Sequence, residues 1–128
     1  MNNIKSKQED NLLRTNHFEI ELTELSLIDD IEIQYKDIKY CTKCIKFTSS
    51  DTFVLTAYAT PQIFNLLNRI SKRNPDFNVK ITLYSNDGTS KFTFENIYRC
   101  TAFYPTELNY DCNSLLMINF EFALFTSL

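Results

Sequence analysis

Residues 78–128 read NVKITLYSNDGTSKFTFENIYRCTAFYPTELNYDCNSLLMINFEFALFTSL, and this stretch decides the fold. It predicts a β-hairpin whose arms, residues 79–84 and 91–95, are rich in β-branched and aromatic residues. Between the arms stands Gly88, the only glycine of the chain, directly after Asn86-Asp87. Because a tight hairpin turn needs a positive φ, which glycine adopts without steric cost, the chain is expected to turn here.

A corner and a long strand complete this stretch. The corner spans residues 103–111 and has Tyr104-Pro105 near its start. After it, apolar residues alternate with others almost to the end of the chain, which predicts a strand with one buried face. The residues expected on that face are Leu116, Ile118, Phe120, Phe122 and Leu124.

The part of the chain before residue 60 also predicts strands. Phe18, Ile20 and Leu22 alternate with acidic residues, a second alternating run follows at 31–35, and residues 52–59 form an apolar run. Residues 38–47 are expected to be extended, although their pattern is mixed. Residues 1–14 are polar and charged and predict a flexible arm, with a neighbouring subunit as a possible docking site.

One segment, at about residues 61–73, is helical. Thr60 is a good N-cap, and Pro61 fits the first helical position because its missing N–H is not needed there. The apolar stripe of this helix consists of Ile63, Leu66, Leu67 and Ile70. We therefore predict a mainly β fold, an antiparallel β-sandwich or barrel with one packed α-helix, in a single domain at residues 15–128.

Composition narrows the function. The chain has 128 residues, a net charge of −3 and a single histidine, so the clustered basic surface of a tight phosphate binder is not expected. No apolar run follows the polar N-terminus, and no stretch approaches the roughly 20 apolar residues of a membrane span, so we expect no membrane anchor and folding in a reducing cytosol.

The four cysteines pose the question of a metal or redox site. Cys41 and Cys44 form a CxxC pair, but Cys100 and Cys112 have eleven residues between them, whereas a zinc ribbon needs two such knuckles. Residues three apart in a strand point to opposite faces, so we expect free thiols. A small zinc-binding domain built on the cysteines stays an alternative.

The other reactive side chains predict no chemistry. His17 is expected to be a solvated residue at a strand start, and one glycine cannot build a phosphate-cradling loop. The acidic residues of the first strands are interpreted as a solvated sheet face; they are Glu19, Glu21, Glu24, Asp29, Asp30 and Glu32. A nucleic-acid-binding surface needs exposed aromatic residues interleaved with basic ones, and this pattern is weakly matched by Tyr35, Tyr40, Lys39 and Lys43, which we call the nucleic-acid platform. We therefore expect no enzyme, no catalytic residue, no cofactor and no metal, and favour an interaction or structural role.

The sequence resembles the tail tube proteins of contractile-tailed bacteriophages, whose fold is shared by related injection machines. Three segments carry the resemblance: the first strand at 14–22, the strand followed by a helix at 52–70, and the closing module at 78–125. The closing module is the most specific, with its Asp-Gly hairpin, its aromatic-Pro corner, the motif Leu108-Asn109-Tyr110-Asp111 and a long alternating strand.

The resemblance implies a structural protein of the virion, made in the host cytoplasm. Its members form rings, typically hexameric, whose sheets join into a barrel around the DNA ejection channel, and the implied partners are sheath and baseplate proteins. Double-stranded DNA would pass through without specific binding, because a polar or acidic lumen repels phosphates. The candidate channel-facing residues are Glu19, Glu21, Thr93, Glu95, Asn119 and Glu121.

Two departures from the family bear on its position in a tail. The family's long insertion with Gly and Pro between early strands is replaced by the short segment 45–51, and its C-terminal aromatic pair by Phe125-Thr126-Ser127-Leu128. A tube-like baseplate, tube-initiator or end-of-tube subunit is therefore an alternative to the repeating tube protein. An alternative of another class is a small β adaptor that binds a peptide or single-stranded nucleic acid at an open sheet edge.

Overall fold

The computed structural model of the protein describes residues 12–26 and 31–125. These residues form one antiparallel sheet of seven strands in the order β2-β1-β5-β6-β7-β4-β3. The strands are β1 Leu13–Ser26, β2 Ile31–Gln34, β3 Thr42–Phe47, β4 Thr52–Tyr58, β5 Asp76–Ser85, β6 Lys91–Pro105 and β7 Met117–Leu124. The helices are α1 Ile38–Cys41 and α2 Pro61–Arg73. The predicted mainly β, antiparallel fold with a packed helix is confirmed.

The sheet curls over its own apolar face. Phe47 of β3 and Phe94 of β6 have ring centroids 6.1 Å apart. In a flat sheet these strands, three positions apart, would be separated by about 14 Å. The same curl brings Phe77 of β5 within 5.8 Å of Phe122 of β7. The buried side chains therefore meet in a core enclosed by both halves of one sheet.

Strand β6 belongs to both halves of the sheet. Its first half pairs with β5 through Arg99, and its second half pairs with β7 from Tyr98 onward. The change of partner coincides with a shift of register between Cys100 and Ala102. Because a β-bulge bends a strand and increases its twist, this irregularity is where the sheet folds over.

Helix α2 begins and ends where the sequence predicts. The Thr60 hydroxyl accepts a hydrogen bond from the Ile63 N–H at 3.3 Å, and Asn74 ends the helix in the left-handed region with φ 46°. Ile63, Leu66 and Ile70 are buried in the core cluster, while Leu67 is partly buried against it. The predicted apolar stripe thus packs on the core side of the sheet.

The segment expected to be extended from residue 38 differs at its start. Residues 38–41 form the helical turn α1, and only from Thr42 is the chain a strand. Ile38 and Cys41, three residues apart, are the buried residues of this turn. Four residues are too few to show a helical period, which is why the mixed pattern was ambiguous.

The predicted arm at residues 1–14 lies mainly outside the described residues. Its last residues do not: Leu13 is the first residue of β1 and pairs with Ser85, and the Leu12 carbonyl accepts a hydrogen bond from the Asn86 N–H at 3.2 Å. The sheet therefore includes the last residues of the predicted arm, and the domain boundary at position 15 stays a prediction. Asp29 and Asp30, predicted as a turn, are also outside the described residues.

The predicted hairpin turn is confirmed, with Gly88 at φ 77°. The Asp87 carboxylate supports it by accepting bonds from the Thr89 N–H at 3.0 Å and from the Ser85 and Thr89 hydroxyls at 2.7 Å each. These bonds, the Thr89 N–H first, hold the pKa of Asp87 below its usual value. The turn is thus specified by a backbone conformation and a side chain together.

Replacing Gly88 with alanine is expected to lower the free energy of unfolding by about 1–2 kcal/mol, because an L-residue is strained at this φ. A Cβ at this position would meet no atom within 4 Å, so the cost is that of the backbone conformation alone. Urea denaturation measures it, with Asn86→Ala in the same turn as the control. Equal stability of the two variants would contradict the assignment.

Candidate functional site

The face of the sheet opposite the core is polar, and we call it the polar face. It carries all six residues predicted to face a channel. Glu19 lies opposite Thr82, which lies opposite Thr93; the next row is Glu21, Lys80 and Glu95. Asn119 and Glu121 lie on the same face of β7, between the buried Ile118, Phe120 and Phe122. Glu19, Glu21, Thr93 and Glu95 lie in adjacent rows on one half of the curled sheet, whereas Asn119 and Glu121 lie on the other half. The channel-facing role of all six stays a prediction.

Carboxylates of the polar face are held by specific partners. Asn78 donates to Glu95 at 2.6 Å, and Tyr84 donates to Glu19 at 3.2 Å. Desolvation and this bond to Glu19 raise the pKa of Tyr84, and desolvation and a bond to Glu121 do the same for Tyr104. Three carboxylates of this face therefore accept hydrogen bonds from neutral side chains.

Two cations of the polar face pair with acidic neighbours on adjacent strands. Arg99 donates to Asp76 at 2.8 Å, and Lys80 lies 3.9 Å from Glu21. All four are partly or fully exposed, so each pair contributes little to stability. The two ion pairs do neutralise part of the negative charge of the polar face. Glu19, Glu95 and Glu121 remain as carboxylates that are bonded to neutral groups.

Glu24 corrects the prediction that the early carboxylates form one solvated face. It is fully buried, with Oε1 2.9 Å from the Tyr35 hydroxyl that donates to it. Arg69 of α2 donates to both of its oxygens, from Nε at 3.0 Å and 2.9 Å and from Nη2 to Oε2. The sequence indicated this burial, because Glu24 is an even number of residues from Ile20 and Leu22 and therefore lies on their face of the strand. Glu19 and Glu21 lie on the other face.

This buried network also removes Tyr35 from the predicted nucleic-acid platform. Its side chain is only 3% exposed, and burial, reinforced by the bond to Glu24, raises the pKa of its hydroxyl far above the ordinary value. Tyr40 is exposed, with the Lys39 ammonium 5.1 Å from its ring centroid. The hydrogen bonds to Glu24 raise the pKa of Arg69. The platform thus loses one of its two aromatic residues.

The cysteines of the CxxC pair have different surroundings. Cys41 ends α1 and is buried, with Sγ 3.5 Å from the Thr60 hydroxyl, while Cys44 is exposed on β3. Cys100 is buried and Cys112 exposed, and all four are free thiols. Within the described ranges, no three His, Cys, Asp or Glu side chains converge as a metal site would require. His17 lies half-buried in β1.

Thiol labelling of the native protein is expected to proceed in two classes. Cys44 and Cys112 react quickly because they are exposed, whereas burial raises the pKa of the Cys100 thiol to about 12 and, with the burial of Cys41, blocks reaction. A chromogenic disulfide reagent at pH 8 should therefore titrate two thiols rapidly and four after unfolding. Four fast thiols in the folded state would contradict this burial.

Strand β3 borders an open groove. It pairs with β4 on one side, and its other side faces β1 and β5 across a cleft of about 620 Å³. We call this cleft the β3 groove; its described lining residues are Asn16, Phe18, Lys39, Thr42, Lys43, Cys44, Ile45, Phe47, Ile81 and Leu83. Half of the lining residues are large apolar side chains, and the charged members are the two lysines.

The connection from β6 to β7, residues 106–116, projects apolar side chains into solvent, and we call it the corner loop. Leu108 is 78% exposed, Tyr110 fully exposed and Leu115 75% exposed. The loop is nonetheless ordered by its own contacts, since the Asn109 carboxamide accepts from the Asp111 N–H at 2.9 Å and the Asn109 carbonyl accepts from the Cys112 N–H at 3.2 Å. The sequence predicted a corner at residues 103–111, whereas residues 103–105 are the end of β6 and the connection continues to residue 116. The exposure of its apolar side chains was not predicted.

The fold defines the class as an antiparallel β-sandwich with a packed helix. A chain in the cryo-EM structure of the anti-feeding prophage (AFP) baseplate, which is 6-fold symmetrised, has a similar fold. The TM-score is 0.56 at 12% identity, and the match covers 88% of this chain and 91% of the other. No family model matches the sequence, and the comparison with curated proteins finds no match.

The match therefore supports the fold implied by the tail tube resemblance at a coarse level. At this identity it concerns the fold alone, and it extends over nearly the whole of both chains. Among the described residues, neither helix has the length and apolar character needed to cross a membrane.

Proposed function

We propose that the protein is a structural subunit of a phage tail or of a related prophage-derived particle, acting by assembly rather than by catalysis. The observation that carries the proposal is the likeness to a chain of the anti-feeding prophage baseplate over 88% of this chain. The tail tube resemblance of the closing module points the same way. The open edge of β3 supports it too, because unpaired edges are surfaces at which subunits join.

Within such a particle we propose a tube-like position in or next to the baseplate. The neighbour comes from a baseplate, and the turn between β3 and β4 is only the four residues 48–51. The family's tube proteins use a long insertion in this region for contact between stacked rings. A short turn suits a ring that is made once, whereas a repeating tube needs the same contact many times.

We propose further that the subunits form a ring, with six copies as in the symmetry of the neighbouring structure, and that the polar face lines its channel. The support is that the six candidate residues share this face and that three of its carboxylates are bonded only to neutral side chains in the bonds described above. A wall of this kind repels DNA phosphates and favours passage without binding.

Electron microscopy and mass spectrometry of the purified parent particle test the proposal. We expect the chain in the particle at a copy number of one or a few rings, with density at the baseplate end of the tail. Absence from the particle, together with a monodisperse monomer at every concentration, would overturn it. A copy number that scales with tail length would instead assign the chain to the repeating tube.

Labelling of an introduced cysteine tests which face lines the channel. In a background with Cys44→Ser and Cys112→Ser, Thr93→Cys is expected to react with a small maleimide in the assembled particle and to be at least about tenfold slower with a large polymer-linked maleimide. Lys72→Cys, exposed on α2 at the opposite side of the sheet, is the matched control and should react with both. Equal rates at both positions would contradict a channel-facing polar face.

A further inference from the structure

The β3 groove and the corner loop are two unpartnered surfaces of one molecule. The groove has five large apolar side chains among its lining residues, and one of them, Phe47, is 52% exposed. The corner loop carries Leu108, Tyr110 and Leu115 into solvent. None of the described lining residues of the groove belongs to residues 106–116, so the loop does not fill its own groove.

Their charges are complementary. The charged side chains that line the groove are Lys39 and Lys43, both positive and both exposed. The charged residues of the corner loop are Glu107 and Asp111, which flank Leu108 and Tyr110. A groove that combines apolar side chains with two lysines thus lies on the same molecule as a projection that combines apolar side chains with two carboxylates, and complementary interfaces pair charges in this way.

Hydrogen bonds within the corner loop fix its conformation before it binds. The Asx turn at Asn109 places Tyr110 at a fully exposed position, and a bond between the Cys112 thiol and the Ser114 hydroxyl at 2.9 Å holds the next part of the loop. An ordered loop loses less conformational entropy on binding than a flexible one. Tyrosine is among the residues enriched at the energetic centre of interfaces, where its ring is buried and its hydroxyl finds a partner.

We propose that the corner loop of one copy inserts into the β3 groove of a second copy, with Tyr110 and Leu108 on the apolar floor and Glu107 and Asp111 beside Lys39 and Lys43. The two surfaces differ, so the contact is head-to-tail and continues from copy to copy until a ring closes. The inference rests on the proposed role as a self-assembling subunit and names the residues that join its copies.

Charge reversal with rescue tests the contact in the full-length protein. The groove variant Lys39→Glu/Lys43→Glu and the loop variant Glu107→Lys/Asp111→Lys should each weaken self-association about tenfold or more in sedimentation velocity. The protein that carries all four substitutions has the original net charge and should associate within about threefold of the natural sequence. Lys72→Glu on α2 is the control and should leave association unchanged.

Truncation of the anchor gives a second measure. Tyr110→Ala is expected to weaken association at least about 30-fold, as for a side chain at an interface centre. Since Tyr110 is fully exposed in the monomer, its removal should leave the melting temperature of dilute protein unchanged, which separates a lost contact from a lost fold. A Tyr110→Ala protein that associates as the natural one does would overturn the proposal.

The natural cysteines report the geometry. Cys44 lines the groove and Cys112 lies in the corner loop, and both are exposed. A short bis-maleimide should join Cys44 of one copy to Cys112 of the next and give a ladder of dimers, trimers and larger species, which Cys44→Ser or Cys112→Ser should abolish. Dimers that contain only Cys44–Cys44 or Cys112–Cys112 links would overturn a head-to-tail contact.

The outcomes separate this inference from the proposed function. If the chain is found in rings of the particle but the reversed variants assemble normally, the contact is wrong and the function stands. If the variant with all four substitutions restores association in solution but the chain is absent from the particle, the contact is right and the proposed function is wrong. A natural protein that does not self-associate at any concentration overturns the contact.

Discussion

Replacing Phe122 with alanine is expected to lower the free energy of unfolding by about 4 kcal/mol, within the range for a buried phenylalanine truncated to alanine. Phe122 is 1% exposed and stacks on Phe53 at 5.0 Å. It also meets the Phe77 ring edge-on at 5.8 Å and lies 6.4 Å from Phe120. The side chain thus joins β7 to β4 and to β5 across the fold of the sheet, and its loss leaves a cavity between both halves.

Urea denaturation followed by circular dichroism measures this effect, and the melting temperature should fall by roughly 12–20 °C. Phe64 on α2 provides the matched control, because it is the same residue type but 53% exposed, so Phe64→Ala should change stability by about 0.5 kcal/mol or less. Phe122→Leu keeps most of the volume and should cost about 1.5 kcal/mol or less, which gives a folded variant if alanine prevents folding. Similar costs for Phe122→Ala and Phe64→Ala would refute the central position of this ring.

Replacing Arg69 with methionine is expected to cost about 3 kcal/mol, the low end for breaking a buried ion pair. The Glu24 carboxylate has no exposed surface, and its cationic partner is Arg69 of α2. Without the guanidinium, a charged group would remain inside the core with the Tyr35 hydroxyl as its described donor. The Arg69 side chain is itself 27% exposed, so water lessens the penalty.

Three further variants test whether the lost stability comes from the ion pair. Lys72→Met removes an exposed cation from the same helix and should be nearly neutral, while Tyr35→Phe removes one hydrogen bond and should cost about 1 kcal/mol. Adding Glu24→Gln to Arg69→Met removes the unpaired charge and should recover part of the lost stability. If Arg69→Met were no less stable than Lys72→Met, the network would not hold α2 on the sheet.

The hairpin and helix α2 could be predicted because their signals are local. Gly88 marks the turn by its backbone freedom, and Thr60-Pro61 with Asn74 marks the two ends of the helix. In contrast, α1 was missed because a single turn shows no period, although Ile38 and Cys41 at three-residue spacing are both buried. Local patterns predict an element only when it is long enough to repeat.

The candidate surfaces divide in the same way. Alternation alone placed Glu19, Glu21, Thr93 and Glu95 on one side of their strands, and strand pairing then set them in shared rows. The Glu24–Arg69 pair joins residues 45 apart in the chain, and no spacing rule connects them. The position of Glu24 on the same strand face as Ile20 and Leu22 indicated its burial. Its partner, Arg69, is brought to it only by the packing of α2 on the sheet.

The sequence by itself determined the strands, the long helix, the turn and the polar side of the sheet, because a side chain's face follows from backbone periods of two and about 3.6 residues. Only the tertiary structure decided that the sheet curls at the irregularity in β6 and that a groove stays open beside β3. It also decided that the corner loop carries its apolar residues outward. These features depend on contacts between distant residues, which form when the whole core packs and are not recorded in the order of neighbouring residues.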